Sequence, residues 1–148
     1  MKTMEITVFL ENTPGALAEP AKILGENGIN IFGLCESTES REFNYGLLRL
    51  IVDDPRRAYQ LLSQQGFVVI ASEVIAVEVP NVPGMLAQIT GVLSKGDLNI
   101  EYLYACTSCG SVKEGNVVII LRMIKLDEAV DLLQRAGMKV LEGKEMHT

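Results

Sequence analysis

The sequence predicts an α+β fold made of two copies of one β-α-β-β-α-β unit, with antiparallel sheets and the helices on one face. Three observations carry that reading. The string Asn-x-Pro-Gly-x-Leu occurs twice, at Asn12–Leu17 and Asn81–Leu86, 69 positions apart (81 minus 12). Each occurrence follows an alternating apolar run and precedes a segment of helical period. The same offset matches many further residues, which is the signature of an internal repeat.

The elements follow in order. Ile6, Val8 and Leu10 alternate with Thr7 and Phe9, and Ile75, Val77 and Val79 alternate with Ala76 and Glu78, so both runs have the period of a strand. The match continues through Asn12/Asn81, Pro14/Pro83, Gly15/Gly84, Leu17/Leu86, Ala18/Ala87, Leu24/Leu93, Asn30/Asn99 and Ile31/Ile100. Leu17, Ala21 and Leu24 share one helical face, as do Leu86, Thr90 and Leu93. Pro20 falls inside the first of these helices and is expected to kink it by removing a backbone donor; its counterpart is Ile89. The helices are expected to end near Gly28 and Asp97.

Second strands are predicted over Ile29–Cys35 and Leu98–Cys106, and third strands over Tyr45–Ile51 and Val118–Ile124. Ala58, Leu61 and Leu62, and in the second copy Ala129, Leu132 and Leu133, mark the second helices. Gly66 and Gly137 suit the residue that closes each of them. Phe67–Ile70 and Met138–Leu141 supply the last strands. Aligning LLRL with ILRM sets Arg49 against Arg122 at an offset of 73 (122 minus 49), which returns to 71 in the second helices. On that alignment the second copy is longer in its hairpin around Cys109–Gly115 and shorter just before its second helix. Two domains are expected, residues 1–72 and 73–148. The element order is the split ferredoxin-like motif, whose right-handed crossovers place both helices on one side of the sheet.

Composition narrows the function classes. The 148 residues are 48% hydrophobic and carry a formal net charge of -6. That balance argues against a nucleic-acid or anionic-membrane partner. The longest apolar runs, such as Val117–Leu121, are too short to span a bilayer. The N-terminus lacks a secretory pattern, so a cytoplasmic protein with three reduced cysteines is expected.

The repeated turn suggests chemistry. Proline suits the first position of a helix, and the adjacent glycine lets another group approach the backbone. With Pro83 in that position, Val82 is the N-cap and offers no acceptor. The amides of Gly84 and Met85 then suit a carboxylate at the positive helix end. Thr13 is expected to satisfy the matching donors in the first copy. Asn12 and Asn81 each add an amide that donates and accepts. The competing reading is a tight strand-to-helix turn and nothing more.

NTPGALAEPAKILGENGINI and NVPGMLAQITGVLSKGDLNI, each following a strand, resemble the ACT domain, and the resemblance covers nearly the whole chain. ACT domains are small regulatory modules that bind ligands, often amino acids. The resemblance implies a ligand, expected to be an amino acid, held by Asn12, Thr13, Pro14, Gly15, Ala16 and Leu17 in one copy. In the other copy it implies Asn81, Val82, Pro83, Gly84, Met85 and Leu86. Asn30 and Ile31, with Asn99 and Ile100, resemble a second contact point that faces the site across a domain or subunit interface. The family often has Asp at Asn12 and Asn81, and Asp97 stands where the first copy has Gly28. No cofactor or metal is implied. Output would pass to a separate regulated enzyme or through a change in assembly, and exposed sheet edges favour a homodimer.

Other constellations give less. Cys106 and Cys109 form a C-x-x-C, with Cys35 and His147 as further candidate ligands. A redox pair belongs at a helix N-terminus and a zinc site wants four ligands, and this pair meets neither condition. Copper carriers of this topology place the pair in the first loop. Arg49 and Arg122 read best as solvated or paired strand charges. An acylphosphatase-like enzyme would need an arginine in the first loop, and the charge counts against Tyr102 and Tyr104 as an RNA-stacking surface. The single histidine leaves no Ser/His/Asp set, so catalysis is not expected. The alternatives to a sensor are a structural subunit without ligand and a metal or redox protein using Cys106 and Cys109.

Overall fold

A computed structural model describes residues 2–40, 42–106 and 111–146. Cys109 and His147 lie outside the described residues. The element order is β1 (Thr3–Glu11), α1 (Ala18–Glu26), β2 (Ile31–Ser40), β3 (Tyr45–Val52), α2 (Pro55–Gln64), β4 (Val69–Pro80), α3 (Met85–Lys95), β5 (Tyr102–Cys106), β6 (Asn116–Arg122), α4 (Leu126–Arg135), β7 (Lys139–Val140) and α5 (Gly143–Met146). The chain divides into two compact units, Met4–Ser72 and Glu73–Met146, the second also taking in residues up to Thr3.

In the first unit β3 pairs antiparallel with β1 and β2, setting Leu48 opposite Val8 and Leu50 opposite Leu34. β1 also pairs with β4, and the Phe9 amide donates to the Val68 carbonyl at 3.0 Å. The second unit repeats this with β6 between β4 and β5, and β7 antiparallel to β4. Each sheet turns one alternating face to its helices. Ile6, Val8 and Leu10 pack with Leu24 of α1 and with Ala58 and Leu62 of α2. Ile75, Val77 and Val79 pack with Leu93 of α3 and with Ala129 and Leu133 of α4. Each such buried Leu or Ile contributes on the order of 2 kcal/mol.

All four long helices end in one way. After α1 the Ile29 amide donates to Leu24 O and the Gly28 amide to Gly25 O, with Gly28 left-handed at φ 72. This is the Schellman arrangement, and it recurs at Gly66 and Gly137 as the sequence predicts. Asp97 makes the same closure with φ 55, its amide donating to Ser94 O and that of Leu98 to Leu93 O. Its side chain does not alter how the helix ends. Because Ile29 and Leu98 serve these closures, the following strands begin later than predicted, at Ile31 and Tyr102.

Four other expectations are corrected. α1 starts at Ala18, so Pro20 sits in its first turn, where its missing N–H breaks no helical bond, and no kink is required. Residues 69–80 contain no glycine and no proline before the end, and they form one continuous strand instead of two separate ones. The register also replaces the alignment of Arg49 with Arg122. Ile6 faces Leu50 and Ile75 faces Leu121, so the third strands are offset by 71 (121 minus 50). Arg49 therefore corresponds to Ile120. The offset of 71 persists into the second helices, Pro55 matching Leu126, so the second copy is not shortened there.

Candidate functional site

The turn after β1 is built by its Pro-Gly pair. Gly15 has φ 84, and the Ala16 amide donates to Thr13 O at 3.2 Å. Proline and then a left-handed glycine make a type II turn. Gly84 takes φ 89 and ψ -5 after Pro83, the same geometry. Residues in this turn cannot be helical, so neither Pro14 nor Pro83 is the first helical residue. The N-caps are Leu17 and Gly84, not Thr13 or Val82, and neither helix has a side-chain cap. Thr13 therefore does not cap α1.

The two turns differ in how their amides are used. In the first, Ala16 donates to Thr13 O and Ala18 to Gly15 O. In the second, the amides of Gly84, Met85, Leu86 and Ala87 have no hydrogen-bond partner among the described residues, and the first bond runs from Gln88 to Gly84 O. Asn81, Val82, Pro83, Gly84 and Leu86 are exposed around these donors. Met85 turns inward and packs against the second core, as Ala16 does in the first.

Each turn is anchored to the neighbouring hairpin. The Asn12 amide donates to Asn44 O at 2.8 Å and that of Asn81 to Gly115 O at 3.0 Å. In the second unit Glu78 fixes that hairpin from below. Its side chain is 3% exposed; Oε1 accepts from the Lys113 amide at 2.8 Å and from Asn116 Nδ2 at 3.0 Å, and Oε2 lies 3.0 Å from Lys139 Nζ. Burial pushes this carboxyl up, but the bonds from Asn116, the Lys113 amide and Lys139 outweigh it and hold its pKa below the ordinary value. Sequence reasoning passed over Glu78. The signal was available, since Phe9 is its counterpart and an apolar residue seldom exchanges for a buried carboxylate.

Asn99 is not brought to its own turn. It follows the C-terminus of α3, whose 11 residues separate it from Gly84 by roughly 16 Å at 1.5 Å per residue. A cavity of about 320 Å³ groups Asn99 and Ile100 with Thr90 and Ser94 instead. Asn30 is held by Asp53: the Asn30 amide donates to Asp53 Oδ1 at 3.0 Å, and the Asp53 amide returns a bond to Asn30 O at 3.1 Å. Ile31 and Ile100 pack against the two cores. Leu17 and Ile31 meet in a small apolar cavity of about 130 Å³.

A larger cleft of about 460 Å³ opens beside the first turn, between Phe9 and Tyr45 of the strands, Ala16 and Glu19, and Phe67 and Val68 beyond α2. No motif in the sequence marks it.

A family model described as an ACT domain pair matches residues 1–148. The chain belongs to the ACT domain pair family. Its fold is that of a solved protein of Bacteroides thetaiotaomicron, with 30% identity, a TM-score of 0.87, and coverage of 100% of this chain and 97% of that one. The regulatory subunit of aspartate kinase from Thermus thermophilus, in ligand-free form, shares the fold at 17% identity with a TM-score of 0.61, covering 90% of this chain and 91% of the other. Its counterpart from Thermus flavus aligns at 16% identity and a TM-score of 0.63, over 93% and 94%. A search of curated protein sequences found no match. ACT domains are non-catalytic regulatory modules that bind small ligands such as amino acids.

Elsewhere in the ACT pair, Cys106 ends β5 as a buried residue, and its C-x-x-C partner lies outside the described residues. Among the described residues no group of three or more His, Cys, Asp or Glu side chains is placed to hold a metal ion. Among them, too, no helix is long and apolar enough to cross a membrane.

Proposed function

We propose that this ACT pair is a non-catalytic cytoplasmic sensor whose second turn binds the carboxylate of a small ligand, an amino acid being the expected class. The observation that carries the reading is the set of amides at Gly84 to Ala87, which have no partner among the described residues. They stand at the positive end of an 11-residue helix without a side-chain cap. An anion there gains both the free donors and the helix dipole. Asn81 supplies an exposed amide for the ligand's ammonium. The first turn, Asn12 to Leu17, is the weaker binder because part of its backbone is already engaged.

Asn99 and Ile100 would complete the site from a second copy of the chain, since their own turn is too far away. A ligand bridging two copies favours the assembled state by its differential affinity, and a homodimer so stabilised would pass the signal to a separate enzyme.

A thermal-shift screen of the standard amino acids tests this. At a hundredfold excess over Kd a ligand adds about 2.7 kcal/mol of stability, a shift of several degrees. One or two amino acids should produce it, and Gly84→Ala should abolish it while leaving a cooperative melt. A Cβ at Gly84 meets nothing within 4 Å, so the expected cost is conformational, about 1–2 kcal/mol for leaving φ 89 or holding it under strain. No response to any amino acid, or one indifferent to both Gly84→Ala and Asn81→Ala, would favour a purely structural module.

A further inference from the structure

The cleft beside the first turn is independent of the amides of α3. Three of the chain's eight aromatic residues (four Phe, four Tyr) meet in it. Phe9 and Tyr45 lie with ring centroids 6.3 Å apart, tilted by 32°, and Phe67 also lines the cleft. Ala16 and the exposed Val68 extend the apolar wall. The residues with polar side chains that line it are Thr13, Tyr45, Glu11 and Glu19; no lysine or arginine is among the described residues that line it. At about 460 Å³ the cleft has the size of a small-molecule site.

The second unit shows that the fold does not require this opening. At the offsets of 69 and 71 the counterparts of Phe9, Tyr45 and Val68 are Glu78, Asn116 and Lys139. They are joined to one another, Asn116 Nδ2 donating to Glu78 at 3.0 Å and Lys139 Nζ lying 3.0 Å from it. Met85 replaces Ala16 and fills inward against its core. One copy thus closes the place with its own side chains, and the other leaves aromatic walls and an acidic rim.

We infer that the cleft of the first unit is a binding site for a small organic cation, an ammonium carried on an aromatic or aliphatic body. The rings receive the body and attract the charge through their faces. Glu11 and Glu19 supply countercharge at the rim, and no lining cation opposes it.

The test titrates the isotope-labelled chain with phenethylamine, phenethyl alcohol and phenylacetate, which share one body and differ in charge. Phenethylamine should shift the amides of Phe9, Ala16 and Val68 saturably, with affinity about tenfold above the alcohol and more above phenylacetate. Ala16→Met, which copies the second unit, should weaken the amine at least tenfold. Glu11→Gln and Glu19→Gln change exposed side chains and preserve the fold, and each should weaken it about threefold without affecting the alcohol. No saturable shift in the cleft, equal binding of phenylacetate, or amine affinity unchanged in both glutamine variants would overturn the inference. Perturbation confined to the amides of Gly84 to Ala87 would overturn it as well, and would speak only to the carboxylate site.

Discussion

Glu78→Gln separates a positioning carboxylate from a merely tolerated one. Glu78 accepts two hydrogen bonds while its side chain is 3% exposed, at 2.8 Å from the Lys113 amide and 3.0 Å from Asn116 Nδ2. Glutamine keeps an acceptor for both donors but loses the charge, which weakens each bond by about 1 kcal/mol. Part of that loss is offset because a neutral amide is cheaper to bury than a carboxylate. The Lys139 ammonium is well solvated, so its lost attraction adds little. The net expectation is about 1–2 kcal/mol at neutral pH.

Linkage sharpens the prediction. The folded pKa of Glu78 is lowered, so its contribution is fully present above the unfolded pKa and is lost as pH falls through the folded one. Urea unfolding of wild type and Glu78→Gln at neutral pH and again below the carboxylate range should show a penalty that shrinks with acidity. A penalty equal at both pH values would refute the reasoning, because it would assign the cost to packing and not to the ionised carboxylate. Heteronuclear spectra at neutral pH should also show the Asn81 amide displaced, since its acceptor Gly115 sits on the hairpin that Glu78 holds.

Two further substitutions test the local geometry. Asp97→Gly should stabilise the chain by about 1 kcal/mol, read from the denaturation midpoint, because it relieves a non-glycine residue from φ 55. Asp54→Ala should cost about 1 kcal/mol, since Asp54 caps α2 by accepting from the Arg57 amide at 3.0 Å. Its counterpart Lys125 has no side-chain cap to lose, so Lys125→Ala should fall well short of that cost in the same assay.

The repeat, the alternating strands and the C′ glycines were legible because each rests on local period or backbone freedom. Gly66 and Gly137 could be placed from sequence because a left-handed C′ residue nearly demands glycine. The helix starts were not legible, and the reason is specific. Proline at the first helical position and proline at the second position of a type II turn share one φ near -65°. Only the conformation of the next residue separates them, and Gly15 and Gly84 permit either. Once φ 84 and φ 89 are known, both helices must begin later. The misaligned arginines have another cause. LLRL and ILRM match by composition, whereas register is fixed by which residues face Ile6 and Ile75 across the sheet.

The candidate site was half legible for the same reasons. Asn-x-Pro-Gly marked both turns, but whether their amides are free depends on two short backbone bonds, from Ala16 and from Ala18, that no residue type announces. The expected Thr13 cap of the first turn does not form, yet the asymmetry stands on the backbone bonds themselves. A similar asymmetry governs the end of each sheet. Where the first unit has Phe9, Tyr45 and Val68 around an opening, the second has Glu78, Asn116 and Lys139 bound together. Closing that space fixes the Lys113–Asn116 hairpin, and the hairpin in turn holds Asn81 through Gly115. The buried carboxylate thus stands in the second unit where the first has a cleft, and it fixes the hairpin to which Asn81 is bonded. Duplication lets one chain keep both solutions, because a single copy of the unit could not leave that space open and fill it at once.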